Sequence, residues 1–298
     1  YSCVDCDSLQ IVDALEGDEL MRHYPPGYYS YATSTQPGVR EWLTSQDDRF
    51  KTGMGGRVVG SLITAIPHSI RAVIGRSDSS GDVVGMLGQT AVKADARILD
   101  VGCGSGALLD RLARAGFTQL SGADPFIPAD GETPLGVPLK KRYMNEVTGE
   151  FDLIMFNHSL EHVPDPVATL IAARERLAPE GICLVRLPTT SCEAWPAYGA
   201  DWIAIDAPRH MVVPSRRGMA LAAESAGLRL EKTYDDSTFV QFLGSEAYQR
   251  DIPLNDPDLL RKIVKVFGPK QIWDWQRRAE GLNRQGRGDW AGFVLRSR

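Results

Sequence analysis

The sequence predicts an α/β fold: a doubly wound, mostly parallel sheet of seven strands, with an aromatic and helical N-terminal extension and a helical cap inserted before the last strand. Three observations predict it. From residue 97 onward short apolar runs alternate with segments of helical period, as βαβ units require. The first of these runs empties into Gly102-Cys103-Gly104-Ser105-Gly106, and a helical pattern follows at once. A length of 298 residues with 43% apolar and 24% charged residues suits one large α/β domain with additions.

The elements follow in order. Residues 1–50 are acidic and aromatic, with Tyr28, Tyr29 and Tyr31 in one cluster, and read as an extension. Residues 51–90 read as one or two helices followed by a linker, Ser77-Asp78-Ser79-Ser80-Gly81-Asp82. The main domain is placed at 91–298. Ile98–Val101 is its first strand, and Leu108, Leu109, Leu112 and Ala115 mark a helix closed by Gly116. Further strands are expected at 119–123, 139–143, 151–156, 181–187, 228–234 and 291–295, with helices at 167–177 and 215–226. Some 55 residues separate the last two strands, longer than an ordinary connection. Residues 235–289 are therefore read as a cap with helices at 259–267 and 272–282.

Composition excludes several classes. No window holds the roughly 18 uninterrupted apolar residues of a membrane helix, and no secretory leader opens the chain. Five scattered cysteines fit a reducing compartment, so a soluble, cytoplasmic protein is expected. A net charge of −5 speaks against nucleic acid as a partner. The charge is uneven, since residues 261–298 carry ten Lys/Arg against three acids. That basic tail is either a solvated helix face or a surface for an anionic ligand.

A strand ending in Gly-x-Gly-x-Gly before a helix opens backbone N–H groups to a nucleoside-bearing ligand. The dinucleotide fingerprint spaces its glycines differently, which disfavours a nicotinamide oxidoreductase. Asp100, just before the loop, would repel a pyrophosphate but suits a cationic amino group. Asp124 ends the next strand, 22 residues after Gly102, where a carboxylate can hold both ribose hydroxyls.

These motifs carry a resemblance. Ile98–Gly106, Gly122-Ala123-Asp124-Pro125 and Phe151-Asp152-Leu153-Ile154 resemble the class I S-adenosylmethionine-dependent methyltransferases. Leu160-Glu161-His162-Val163-Pro164-Asp165-Pro166, with Pro208-Arg209-His210-Met211, is similar to the branch of quinone-biosynthesis and sugar methyltransferases. The resemblance implies a Rossmann-like sheet with S-adenosylmethionine over its first strands. It implies that Gly102, Cys103, Gly104 and Gly106 line the cofactor, Asp100 lies beneath its amino group, and Asp124-Pro125 hold its ribose. Asn157 and His158 would border the reacting methyl, and Tyr29 would belong to a lid.

Methyl transfer to a hydroxyl needs the acceptor held in line and a base near its proton. Candidates are His158, His162 and His210, of five histidines in all. His158 and His162 are four apart, which on a helix would set them on one face beside Glu161. His162 with Glu161 is the preferred base, with His158 its rival. Cys3-x-x-Cys6 is half of a tetrahedral zinc site, or two ordinary thiols. The expected partner is a small-molecule acceptor, an anionic saccharide by preference, with no membrane and with a homodimer left open. A cofactor-binding scaffold without turnover is the competing reading.

Overall fold

The computed structural model describes residues 1–13, 15, 19–20, 22–23, 38–66, 83–90, 92–254 and 259–298. β1 (Leu9–Gln10) is followed by α1 (Val39–Lys51), α2 (Arg57–Ala65) and α3 (Val83–Gly88). Next come β2 (Arg97–Val101), α4 (Ala107–Ala115), β3 (Gln119–Ala123), β4 (Gly131–Glu132), β5 (Pro138–Lys140) and β6 (Phe151–Asn157). The chain continues through α5 (Pro166–Arg174), β7 (Leu177–Pro188), α6 (Ala194–Tyr198), β8 (Val212–Val213) and α7 (Arg216–Ser225). It closes with β9 (Leu228–Asp235), α8 (Val240–Tyr248), α9 (Leu259–Arg284) and β10 (Trp290–Ser297).

The central sheet runs β4-β5-β3-β2-β6-β7-β10-β9. β5, β3, β2, β6 and β7 are parallel, while β10 lies antiparallel between β7 and β9. The eighth strand is β4, two residues paired antiparallel to β5 at the edge. Strand order reverses between β2 and β6, and the ends of strands at such a switch point are where open α/β sheets bind ligands.

Alternation within the strands builds two cores. Ile98, Leu153, Met155, Ile182 and Leu184 face Leu108, Leu109 and Leu112 of α4 and Val84 and Leu87 of α3. Leu99, Ile154, Phe156, Cys183 and Val185 face Leu170 of α5 and Met219 of α7. Local signals set the helix starts. Asp165 accepts from the Ala168 N–H at 2.9 Å with Pro166 at the first helical position, and Ser215 accepts from the Gly218 N–H at 2.8 Å.

The cap departs from expectation in two ways. α9 spans both expected helices, broken at Gly268 (φ 74°) before Pro269. α8 is a helix the sequence pattern did not mark, because Gly244 interrupts its short apolar run. In the structure Ile203 presses on Gly244 where a side chain would stand, so that glycine serves packing. Phe242 of α8 stacks on Trp275 of α9 at 6.5 Å between ring centroids. At the other end, the β1–β8 pair fastens the N-terminal residues to the domain, and α1 is tied to α4 by a buried Arg111–Asp48 ion pair of 2.7 Å. No helix among the described residues is long and apolar enough to cross a membrane.

Candidate active site

The glycine loop leaves β2 with Gly102, Gly104 and Gly106 at φ 76°, 53° and 76°, the left-handed region that glycine enters without strain. A Cβ on Gly102 would collide with Ser159, and one on Gly106 with Thr133. The first of these contacts joins the loop to the segment after β6, where the Ser159 hydroxyl also donates to the Val101 carbonyl. Asp124 orders the loop through its carboxylate, which accepts from the Gly104 N–H at 2.9 Å and the Phe126 N–H at 2.8 Å across Pro125. Cys103 is half-buried, and burial together with the charges of Asp100 and Asp124 raises its thiol pKa, so it stays protonated.

Asp100 is buried, and its Oδ1 has no hydrogen-bond partner among the described residues. Burial first, and the Asp124 charge second, push its pKa up to about 8. These features fit S-adenosylmethionine. A buried carboxyl lacking a donor suits an ammonium group, and Asp124 keeps acceptor capacity for a ribose diol.

The loop after β6 carries the other candidates. His158 takes φ 54°, unusual for a residue with a side chain. That backbone turn prevents the shared helical face expected for His158 and His162. His158 instead aims Nδ1 at Glu161 Oε1, 3.2 Å away, and packs edge-on against Trp290 at 5.0 Å. Its Nε2 is buried with no hydrogen-bond partner among the described residues. His162 turns the other way, donating from Nδ1 to the Arg209 carbonyl at 2.9 Å.

His210 reaches the same place because the Met211 N–H donates to the Glu161 carbonyl at 2.7 Å. Its Nδ1 donates to the Ala204 carbonyl at 2.8 Å, leaving Nε2 4.0 Å from Glu161 Oε1 and 3.7 Å from Asp206 Oδ2. The His162 and His210 rings meet at 4.7 Å. One ligand atom each from Glu161, His162 and His210 lies within 4.8 Å of the others, a spacing that could hold a divalent ion. Burial lowers the pKa of all three histidines, that of His158 to about 3.

Asn157 does not stand alone at the end of β6, since its Oδ1 accepts from Arg186 Nη1 at 3.2 Å. Sequence reasoning missed Arg186, which is wholly buried, bonds Asp236 Oδ2 through Nε at 2.7 Å and lies over the Trp290 ring. The available signal was a lone charge inside the apolar run 181–187. Tyr29, with Tyr28 and Tyr31, lies outside the described residues. Cys3 and Cys6 are free thiols, and no third metal ligand joins them among the described residues. Cys6 instead donates to the Ser8 hydroxyl at 3.2 Å.

Five cations of the basic tail pair with carboxylates. Arg278 and Arg287 meet Glu193, Lys270 meets Asp274 at 2.6 Å, Arg296 meets Glu231 at 2.5 Å and Arg298 meets Glu224 at 2.6 Å.

Comparison with known proteins agrees with this geometry. Residues 82–233, half of the chain, match the family model described as a methyltransferase domain. Ubiquinone biosynthesis O-methyltransferase of Aromatoleum aromaticum is 29% identical over 181 residues, covering 54% of this chain and 77% of that protein. The enzyme of the same name from Cereibacter sphaeroides is 32% identical over 126 residues, covering 36% of this chain and 48% of that protein. The chain thus spans between about half and three quarters of these relatives' length. Among solved structures, a cyclopropane synthase from Mycobacterium tuberculosis is similar at 15% identity and a TM-score of 0.46, over 88% of this chain and 99% of that one. A sheet switching order above a glycine loop, two buried carboxyls at adjacent strand ends and a matched domain agree: the chain belongs to the methyltransferase domain family, as a class I S-adenosylmethionine-dependent methyltransferase.

Proposed function

We propose that the chain methylates a hydroxyl of a small-molecule acceptor, a saccharide, seated over the ends of β6, β7 and β10, with His158 receiving the proton. The observation that carries this reading is the buried Glu161 carboxylate 3.2 Å from His158 Nδ1, which leaves Nε2 as the ring's free acceptor. When bound, S-adenosylmethionine supplies an electrophilic methyl on a positively charged sulfur and departs as a neutral thioether. As the acceptor oxygen bonds the methyl carbon its proton becomes strongly acidic, so even the weakened His158 base can take it. Glu161 holds the tautomer with the proton on Nδ1 and stabilises the imidazolium that forms.

Oxygen as the target is supported by the names of the relatives, both O-methyltransferases. The saccharide extends the sequence resemblance to the branch that includes sugar methyltransferases. The cations of 261–298 described above meet surface carboxylates, so the proposal rests on the hydroxyl and not on an acceptor charge. The test is transfer from methyl-labelled S-adenosylmethionine to methyl hexopyranosides and to 3,4-dihydroxybenzoate, with the methyl ether identified by mass spectrometry. His158→Asn and Glu161→Gln should each lower kcat by about 10²–10⁴ while cofactor affinity holds. Wild-type rates in both would end the base assignment.

One observation favours a second reading. His162 and His210 each donate Nδ1–H to a backbone carbonyl, the outer contact that orients an imidazole toward a metal. A divalent ion on Glu161, His162 and His210 would lower the acceptor hydroxyl's pKa directly. Chelator-treated protein that regains turnover with Mg²⁺, Mn²⁺ or Zn²⁺, and loses that response in His210→Ala, would favour it.

A further inference from the structure

Successive residues of a strand face opposite sides of a sheet, yet the side chains of Asn157 and His158 converge on one pair of residues. Asn157, the last residue of β6, pairs in register with Arg186 of β7, and its Oδ1 accepts from Arg186 Nη1 at 3.2 Å. His158 follows at φ 54°, which breaks the alternation, and its ring meets the Trp290 ring at 5.0 Å. The Arg186 guanidinium lies 5.0 Å from the same ring, so both side chains approach a single Arg186–Trp290 stack. Asn157 also stands one step beyond the Val101–Phe156 pairing, at the level where the glycine loop leaves β2.

Arg186 decides which end of the Asn157 amide is presented. A guanidinium only donates, so the atom facing it is the amide oxygen, and the amide nitrogen is turned the other way. Arg186 is wholly buried and is held in turn by Asp236 Oδ2 at 2.7 Å, which fixes the amide from behind. Asn157 keeps part of its surface open, and its Nδ2 has no hydrogen bond among the described residues. Two N–H groups are thus offered at the end of β6, and the cation bound to the other end of the same amide polarises them. Such a donor suits an oxygen with lone pairs and is repelled by a sulfonium.

We propose that Asn157 Nδ2 donates to the acceptor oxygen and that Arg186 is the residue that positions it. The inference rests on the proposed methyl transfer to a hydroxyl at His158. A hydroxyl has one O–H and two lone pairs. With the O–H given to His158 Nε2 and one lone pair held by Asn157, a single lone pair remains for the reaction. That pair forms the bond to the methyl carbon, the carbon–sulfur bond breaks with its electrons left on sulfur, and the proton passes to Nε2. The Asn157 hydrogen bond favours the oxygen as it loses its proton, which offsets the weak basicity of the buried His158.

Asn157→Asp tests the donor without releasing Arg186, because the carboxylate still accepts from the guanidinium while an oxygen replaces the N–H groups. The full chain is assayed with methyl-labelled S-adenosylmethionine, with 3,4-dihydroxybenzoate and methyl α-glucopyranoside as acceptor probes. Calorimetry measures S-adenosylhomocysteine and each probe. Asn157→Asp should melt no lower than wild type, bind S-adenosylhomocysteine equally well, and lose about 10-fold or more in kcat on the probe that is methylated. Arg186→Lys should lower kcat too, and the double variant should lose no more than Asn157→Asp alone, the mark of a residue acting through its neighbour. Wild-type kcat in folded Asn157→Asp, or additive losses in the double variant, would overturn the inference. An equal loss of S-adenosylhomocysteine affinity would overturn it as well, by assigning the amide to the cofactor's carboxylate. So would a crystal holding a bound probe whose oxygens avoid Nδ2, or a wild type that binds neither probe. Probe binding that weakens in Asn157→Asp, with no methyl ether from wild type, would instead sink the methylation reading and leave the contact standing.

Discussion

Arg186 and Asp236 bond across 2.7 Å with side chains 0% and 8% exposed, joining the ends of β7 and β9 beneath Trp290, the first residue of the intervening strand. A buried pair of this kind adds little net stability, but removing one member strands the other charge. Arg186→Met should cost about 3–5 kcal/mol in denaturant unfolding. The double variant Arg186→Met with Asp236→Leu should recover most of it. A double variant no better than the single one would show that Arg186 matters through Asn157 instead.

The histidines bear on pH dependence. His158, with its pKa depressed to about 3 by burial, stays neutral throughout the working range. A profile of kcat against pH should therefore show no acid limb near 6.5, the ordinary histidine value. An acid limb between pH 6 and 7 that vanishes in His158→Asn would mean the ring titrates normally.

Asp100 makes cofactor binding a proton-linked event. With its pKa near 8, the free protein holds that proton at pH 7, and a bound ammonium group expels it. Calorimetry in buffers of different ionisation enthalpy should find close to one proton released per S-adenosylmethionine. Affinity should tighten as pH rises toward 8, and Asp100→Asn should abolish the linkage. Stability carries the opposite sign. A raised folded-state pKa favours the free fold fully below the unfolded value near 3.9, and that contribution is lost as pH climbs through about 8. Asp100→Asn should thus raise Tm relative to wild type more at pH 8 than at pH 4.

Gly102→Ala places a side chain at φ 76° and against Ser159. The left-handed backbone costs about 1–2 kcal/mol. The collision adds about 1–3 kcal/mol of overpacking. Thermal melting should fall accordingly and cofactor binding should weaken sharply. A variant with native Tm and affinity would show that the loop yields at this point.

The positions of the glycine loop, Asp100 and Asp124 at the strand ends were legible in sequence because strand, turn and helix are contiguous. The pairing of His158 with Glu161 was not, because it depends on a positive φ at His158 that no periodicity reports. Arg186, Asp236 and Trp290 were hidden more deeply. They meet only because β10, from the far end of the chain, inserts antiparallel between β7 and β9.

Arg111 belongs to the helix that follows the glycine loop, and its two bonds to Asp48, of 2.7 and 2.9 Å, cross 63 residues of sequence. Asp48 lies upstream of the segment that the family model spans. A recombinant fragment cut to residues 82–233 would discard that counter-ion and leave a guanidinium stranded at the helix beside the donor-binding turn. Expression boundaries for biochemical work therefore belong ahead of α1, however self-sufficient the shorter piece looks in an alignment.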